Sequence, residues 1–197
     1  VFPLEGLGKG RVREIAKEFG MNVHDKKDSV EICFVPDDYR NVIKQRAPEK
    51  VTPGHFVNAN GESMGEHPGF QFFTIGQRRG LGKAFGQPMY VKDIHPRTAE
   101  VVLAVDEELY ESVLEASKMN WIADPASLQN NMKVQAQIRY NHEPVSATLA
   151  FQNSSQDKIR LNFDEPERAI APGQAVVLYD GDLVLGGGWI DTIPRKG

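Results

Sequence analysis

Apolar residues recur along this chain with two different periods, and the change between them divides it. From Lys9 to Phe19 the positions Val12, Ile15, Ala16 and Phe19 fall at i, i+3, i+4 and i+7, one face of a helix, and Gly20 supplies a C-terminal stop. A second short helix is predicted over residues 37–46, opened by Pro36-Asp37, with Tyr39, Val42 and Ile43 on one side. Neither helix can bury its apolar face alone. Residues 1–50 therefore read as the tail of a larger domain.

From Val51 the pattern changes to strands and turns. His55-Phe56-Val57 and Ser63-Met64-Gly65-Glu66-His67 form an expected hairpin around Asn60-Gly61, a strong turn signal. Further strands are expected over 70–75, 88–94 and 100–105. Glu107, Glu108, Glu111 and Glu115 then crowd together and read as a solvated face rather than acid–base machinery.

The last stretch is the most regular. Met132, Val134, Ala136, Ile138 and Tyr140 alternate with Lys133, Gln135, Gln137 and Arg139, the period-2 signature of a half-buried strand. Strands over 145–151, 158–163, 175–179 and 183–185 follow, separated by turns at Asn153-Ser154-Ser155 and Asp180-Gly181-Asp182. Short strands at this spacing predict a small barrel or sandwich. The division expected is a helical tail over 1–50, a central β domain over 51–117 and a C-terminal β domain over 118–197.

Composition narrows the function classes. With 197 residues, 40% of them hydrophobic, the chain can bury one or two real cores. It contains no run of 18 apolar residues, which predicts no membrane span, and no basic-then-apolar leader. A single cysteine excludes an internal disulfide framework and fits a reducing, cytoplasmic setting. The net charge of −4 disfavours whole-surface binding of nucleic acid. Gln71 to Lys92, however, contains no acid and carries Arg78, Arg79, Lys83 and Lys92, so any such contact is expected to be a patch.

Candidate chemistry is concentrated in a few places. Cys33 lies in Lys26-Lys27-Asp28-Ser29-Val30-Glu31-Ile32-Cys33-Phe34-Val35-Pro36. Nearby lysines favour a reactive thiolate, Asp28 and Glu31 oppose it, and Ile32-Cys33-Phe34-Val35 reads equally well as a small buried strand. Gly76, Gly80 and Gly82 with Arg78, Arg79 and Lys83 form a glycine-rich basic loop suited to phosphate oxygens, or a structural turn with solvated arginines. It is not a Walker loop, because Gly82-Lys83 is followed by Ala84. The five histidines are scattered, with no cysteine partner at metal-ligand spacing, so no metal site is expected. His55 and His67 could face each other across the hairpin, with a surface role the plainer account. Gly186-Gly187-Gly188 could admit another backbone or a ligand, or mark a bulged strand end. Arg139 and Tyr140 point to opposite faces if their strand is regular, unless a bulge re-aims them; Tyr140 is then either core-facing or a contact residue.

Three stretches carry a resemblance. Lys-Lys-Asp-Ser-x-Glu-Ile-Cys-Phe-Val-Pro, Thr74-Ile75-Gly76-Gln77-Arg78-Arg79-Gly80-Leu81-Gly82, and Pro172-Gly173-Gln174 followed by Leu185-Gly186-Gly187-Gly188 are similar, in that order, to the tRNA-specific 2-thiouridylases. The resemblance implies a mainly β fold: a short α-helical N-terminal segment, a small central β domain and a C-terminal six-stranded-type β-barrel. It implies thiolation of C2 of the wobble uridine in tRNA, with ATP and Mg used in an N-terminal domain and no cofactor held by these residues. Cys33 would be the persulfide carrier, loaded by a sulfur-relay protein or cysteine desulfurase. Arg139, Tyr140 and Gln174 would contact tRNA, with Arg78, Arg79 and Lys83 as further candidates.

The family's Ser-Gly-Gly-Val-Asp-Ser-Ser phosphate loop and its second cysteine do not occur in these residues. The expectation is therefore a central and C-terminal part of the enzyme, inactive by itself. Two other classes compete. A small barrel with a Pro-Gly-Gln turn is similar to the second domain of translation GTPases, a non-enzymatic RNA-binding module. A thiol-redox protein using Cys33 would need a resolving cysteine, which is missing here.

Overall fold

The computed structural model describes residues 4–26, 39–140 and 142–192. Two compact units divide the chain, residues 1–48 and 49–197.

The first unit contains α1 (Lys9–Glu18) and α2 (Tyr39–Arg46). The α1 helix ends as its sequence predicts. Gly20 takes φ +66°, Met21 N–H donates to the Ala16 carbonyl at 2.9 Å and Gly20 N–H to that of Lys17 at 3.0 Å, a Schellman closure that needs a left-handed residue. No residue of either helix is buried. Cys33 and the segment around it lie outside the described residues.

The second unit begins with a four-stranded sheet of order β2-β1-β4-β3: β1 (Gly54–Val57), β2 (Ser63–His67), β3 (Tyr90–His95) and β4 (Glu100–Ala104). The β1–β2 hairpin turns where Asn60-Gly61 predicts. Asn58 Oδ1 accepts the Asn60 and Glu62 N–H groups at 3.0 and 2.9 Å, and Gly61 adopts φ +81°. Phe56, Val91, Val101 and Leu103 form the floor of this sheet and are essentially inaccessible.

Two expectations fail here. Residues 70–75 are not a strand: Phe70–Phe72 forms a 3-10 turn, and the chain bends again at Gly76 (φ +83°). The apolar run reflects burial of Phe72 and Phe73 in the core, where Phe73 packs edge-on against Phe56. His67 is also no surface histidine. It sits opposite Gly54 rather than His55, is 4% exposed, and is enclosed by Phe56 and Phe73.

The chain then closes a six-stranded antiparallel barrel of order β10-β5-β8-β7-β6-β9. Its strands are β5 (Tyr110–Trp121), β6 (Lys133–Gln137), β7 (Val145–Phe151), β8 (Lys158–Arg168), β9 (Ala175–Asp180) and β10 (Leu183–Thr192). Leu114, Ile138, Leu149, Leu161, Leu178 and Ile190 fill the interior. The β5 strand runs through residue 117 and was hidden in the sequence by its acids. Leu114 and Ala116 point inward, while Glu115 on the outer face receives Gln152 Nε2 at 2.7 Å and stands 3.8 Å from Arg160.

The triple glycine is the middle of β10, not its end. A Cβ at Gly186 would lie 2.6 Å from the Asn120 carbonyl oxygen, and one at Gly188 2.7 Å from that of Ser117. Only glycine lets this strand approach β5 closely enough to close the barrel.

Candidate nucleic-acid interface

The barrel strand that carries Arg139 and Tyr140 stops early. Regular β6 ends at Gln137; Ile138 is still buried, and the chain then turns. Tyr140 is 92% exposed, so it does not continue the inward series of Val134, Ala136 and Ile138. The turn also sets aside the opposite-faces expectation, because Arg139 and Tyr140 line the same cleft.

That cleft has a volume of about 540 Å³ and is lined by Gln137, Ile138, Arg139, Tyr140, Gln174, Ala175 and Val177. Gln174 arrives from the opposite side, on the turn that enters β9. Gly173 takes φ +85°, and two hydrogen bonds of 2.8 Å, Gly173 N–H to the Ile190 carbonyl and Ile190 N–H to the Gln174 carbonyl, pin the turn to β10. The three residues singled out in the sequence therefore converge from two separate loops. Arg139 Nε is buried and has no hydrogen-bond partner among the described residues.

Two residues not anticipated from the sequence hold this loop. Gln137 donates from Nε2 to the carbonyls of Tyr140 and His142 at 3.2 and 2.8 Å, and its Oε1 accepts the Tyr179 hydroxyl at 3.0 Å. His142 is held in turn by Glu167, at 3.2 Å. Both Gln137 and Tyr179 occupy outward positions of the alternation, the one signal that could have marked them. On the far side of Tyr140 a second cleft, about 530 Å³, includes Glu143 and Asp182, acids that would repel phosphate.

The glycine-rich loop forms a separate patch. Arg78, Arg79 and Lys83 are all exposed, and Arg78 and Lys83 line a cleft of about 450 Å³ with Leu81 and Phe85. Arg78 lies 6.0 Å from the Tyr90 ring centroid. Lys83 differs from the two arginines: its Nζ donates to the Met64 carbonyl at 2.7 Å, over a Gly65 whose missing side chain leaves room for the lysine arm. Gln77 orders the turn by accepting Thr74 N–H and donating to the Arg79 carbonyl, at 3.0 and 2.9 Å.

Among the described residues no group of three or more His, Cys, Asp or Glu is placed to hold a metal ion, and no helix is long and apolar enough to cross a membrane.

The chain joins a mixed four-stranded sheet to a closed six-stranded barrel that carries the Arg139–Tyr140–Gln174 cleft, and family models match these parts. They match in succession: a tRNA methyl transferase HUP domain over residues 1–37, a tRNA methyl transferase PRC-barrel domain over 40–105, and an aminomethyltransferase β-barrel domain over 111–190. The chain is 46% identical over 192 residues to the tRNA-specific 2-thiouridylase MnmA of Clostridioides difficile strain 630, covering 97% of this chain and 52% of that protein. It is 46% identical over 194 residues to the MnmA of Carboxydothermus hydrogenoformans, again 97% and 52%. To MnmA 1 of Clostridium botulinum strain Loch Maree it is 48% identical over 192 residues, 97% and 53%. The chain belongs to the tRNA-specific 2-thiouridylase family. It spans about half the length of the curated relatives it matches.

Proposed function

We propose that this chain is the central and C-terminal part of an enzyme that replaces the C2 oxygen of the wobble uridine of tRNA with sulfur, and that its barrel cleft binds the tRNA. The observation that carries the reading is the convergence of Arg139, Tyr140 and Gln174 in one cleft from two loops far apart in sequence. A guanidinium, an exposed ring and a carboxamide together suit a phosphate, a base face and a base or ribose edge. Arg78 and Arg79 add charge at the second patch, and Lys83 shapes it.

In this reading Cys33 carries sulfur as a persulfide supplied by a sulfur-relay protein or desulfurase. Its outer sulfur attacks C2, the activated oxygen departs, and a second thiol then takes Cys33 into a disulfide as the thiolated base is released. ATP with Mg supplies the activation of that oxygen in the whole protein, and no residue described here is assigned to either. The protein works in the cytoplasm, where the thiols stay reduced between turnovers.

The test uses a tRNA transcript with an unmodified wobble uridine. Arg139→Ala and Tyr140→Ala each weaken its binding by about 5- to 100-fold while leaving the melting temperature within a few degrees. In the thiolation-competent protein, Cys33→Ser abolishes sulfur transfer and leaves tRNA affinity unchanged. Unaltered affinity in both cleft variants, or thiolation surviving in Cys33→Ser, would overturn the assignment. The competing RNA-binding-module reading predicts tRNA binding with no dependence of any activity on Cys33.

A further inference from the structure

Beyond the cleft, on the next strand, stands Trp189. It is 53% exposed on β10, and the strand register places it directly opposite Ala175, a cleft residue on β9. Directly opposed residues of an antiparallel pair share a face. One step along, Gly187 faces Val177, which faces Gln137 of β6. Arg139 lies two residues beyond Gln137 in the direction that runs from Val177 to Ala175. The outer surface of the barrel thus presents one row running from the Arg139 turn through Ala175 to Trp189. Strands lie about 4.8 Å apart, so the row spans about 10 Å.

The floor of this row is low. Ala175 contributes a methyl, Val177 a half-buried isopropyl, and Gly187 nothing. A Cβ at Gly187 would lie 2.8 Å from the Val176 carbonyl oxygen and 3.7 Å from a Val177 methyl, so no side chain can cover that spot without moving backbone. Tyr140, 92% exposed, rises at one rim, and the indole at the other. A single exposed aromatic residue needs no explanation. Two that bracket a shallow floor containing a guanidinium and a carboxamide do.

We propose that Trp189 is a second base-stacking residue of this interface: an unpaired nucleobase of the bound tRNA lies on its indole, above the Ala175 methyl and beside the Arg139 guanidinium. The inference rests on the proposed tRNA-binding role of the cleft and extends it by one strand. An RNA is favoured over a protein partner because the row carries Arg139 and Gln174 between its aromatic rims. A base face stacks on an indole whatever its sequence, and the neighbouring exposed Asp191 disfavours a phosphate at that end.

The chain contains two tryptophans, Trp121 and Trp189, and Trp121 donates its Nε1–H to the Gln156 carbonyl at 2.9 Å on the other side of β10's register. In a Trp121→Phe background, emission reports Trp189 alone. Adding the tRNA transcript is expected to quench it and to shield it from acrylamide. In the otherwise unaltered chain, Trp189→Ala is expected to weaken tRNA binding by about 5- to 100-fold, and Trp189→Phe to recover most of the loss. The affinity measurement stands by itself where Trp121→Phe does not fold. Full affinity in Trp189→Ala alongside weakened binding in Tyr140→Ala overturns this inference and leaves the proposed function intact. No tRNA binding by the unaltered chain overturns both. A change in oligomeric state in Trp189→Ala with RNA affinity unchanged assigns the indole to a protein contact and likewise overturns the inference.

Discussion

Arg168, at the end of β8, donates from Nε and Nη2 to a single oxygen of Asp106, at 3.0 and 2.7 Å. The same guanidinium lies 5.0 Å from the centroid of Tyr90, the first residue of β3, and Ala169 beside it packs against the bend at Gly76. One arginine of the barrel therefore grips the segment that leaves the central sheet and the ring on which Arg78 also rests. Asp106 holds Arg168 more firmly protonated than usual, against the smaller opposing effect of desolvation.

Removing the guanidinium should loosen this junction. The pair is partly solvated, with the side chains 29% and 40% exposed, so its worth is well below that of a buried ion pair. Arg168→Ala is expected to destabilise the chain by about 1–2 kcal/mol in urea unfolding. Arg168→Lys should recover little, because one ammonium cannot both make the twin hydrogen bonds and lie over the ring. An undiminished midpoint in Arg168→Ala would remove the junction role.

His67 supplies a pH dependence with a defined sign. Burial between Phe56 and Phe73 is the main influence and lowers its pKa from 6.5, outweighing the backbone of Ala99, which raises it. The unfolded chain therefore takes up this proton at a higher pH than the folded one. Stability is full above about pH 6.5 and falls as the pH drops toward the folded-state value, by at most about 1.4 kcal/mol per pH unit for one proton. Comparing unfolding of the parent and His67→Phe from pH 7.5 to 5 isolates the effect. The variant's curve should be flatter in that window, and parallel curves would show that His67 is not the group responsible.

Much of this architecture was legible in the sequence because the signals were local. The Asn58–Gly61 turn, the α1 stop at Gly20 and the alternation through Val134, Ala136 and Ile138 each depend on neighbours within a few residues. What escaped depended on distant partners. The β5 strand alternates correctly at Leu114 and Ala116, but its glutamates look like a solvated surface until Gln152 and Arg160 appear beside Glu115. The glycine triplet reads as a strand end until the carbonyls of Ser117 and Asn120 are seen against it. The site shows the same split. Arg139, Tyr140 and Gln174 came from resemblance, whereas their meeting in one cleft depends on β6 ending at Gln137 and on barrel closure. Tyr140 reads either as the last inward residue of a series or as a contact residue, because alternation cannot say where a strand stops.

The basic loop on the central sheet makes a separable prediction. Arg78 and Arg79 are exposed and each is free to neutralise about one phosphate, whereas Lys83 is tied to Met64. Measured as log K against log salt, tRNA binding should lose about one unit of slope in Arg78→Ala and again in Arg79→Ala. Lys83→Ala should lower the melting temperature with a smaller change in slope. Unchanged slopes in both arginine variants would leave this loop a purely structural turn.

The last prediction concerns how Tyr140 is aimed. A ring 92% exposed gains no orientation from packing, so its direction is set by the backbone of its turn. Gln137 fixes that backbone at two carbonyls, those of Tyr140 and His142, and Tyr179 fixes Gln137 by donating its hydroxyl to Oε1. The two residues thus act in series, and their substitutions should differ in a defined order. Gln137→Met keeps the side-chain length but loses both donors and the acceptor, freeing the turn. Tyr179→Phe removes one hydrogen bond and leaves the carboxamide able to hold the carbonyls. If positioning is their role, tRNA affinity falls by about 5- to 20-fold in Gln137→Met and by about threefold or less in Tyr179→Phe, each hydrogen bond being worth about 1 kcal/mol. Barrel stability should change little in either, since the partners are outside the core. A double variant Gln137→Met with Tyr140→Ala separates positioning from direct contact: once the ring is gone, loosening its turn should cost little further affinity. Full additivity of the two losses would mean that Gln137 touches the RNA itself rather than acting through Tyr140.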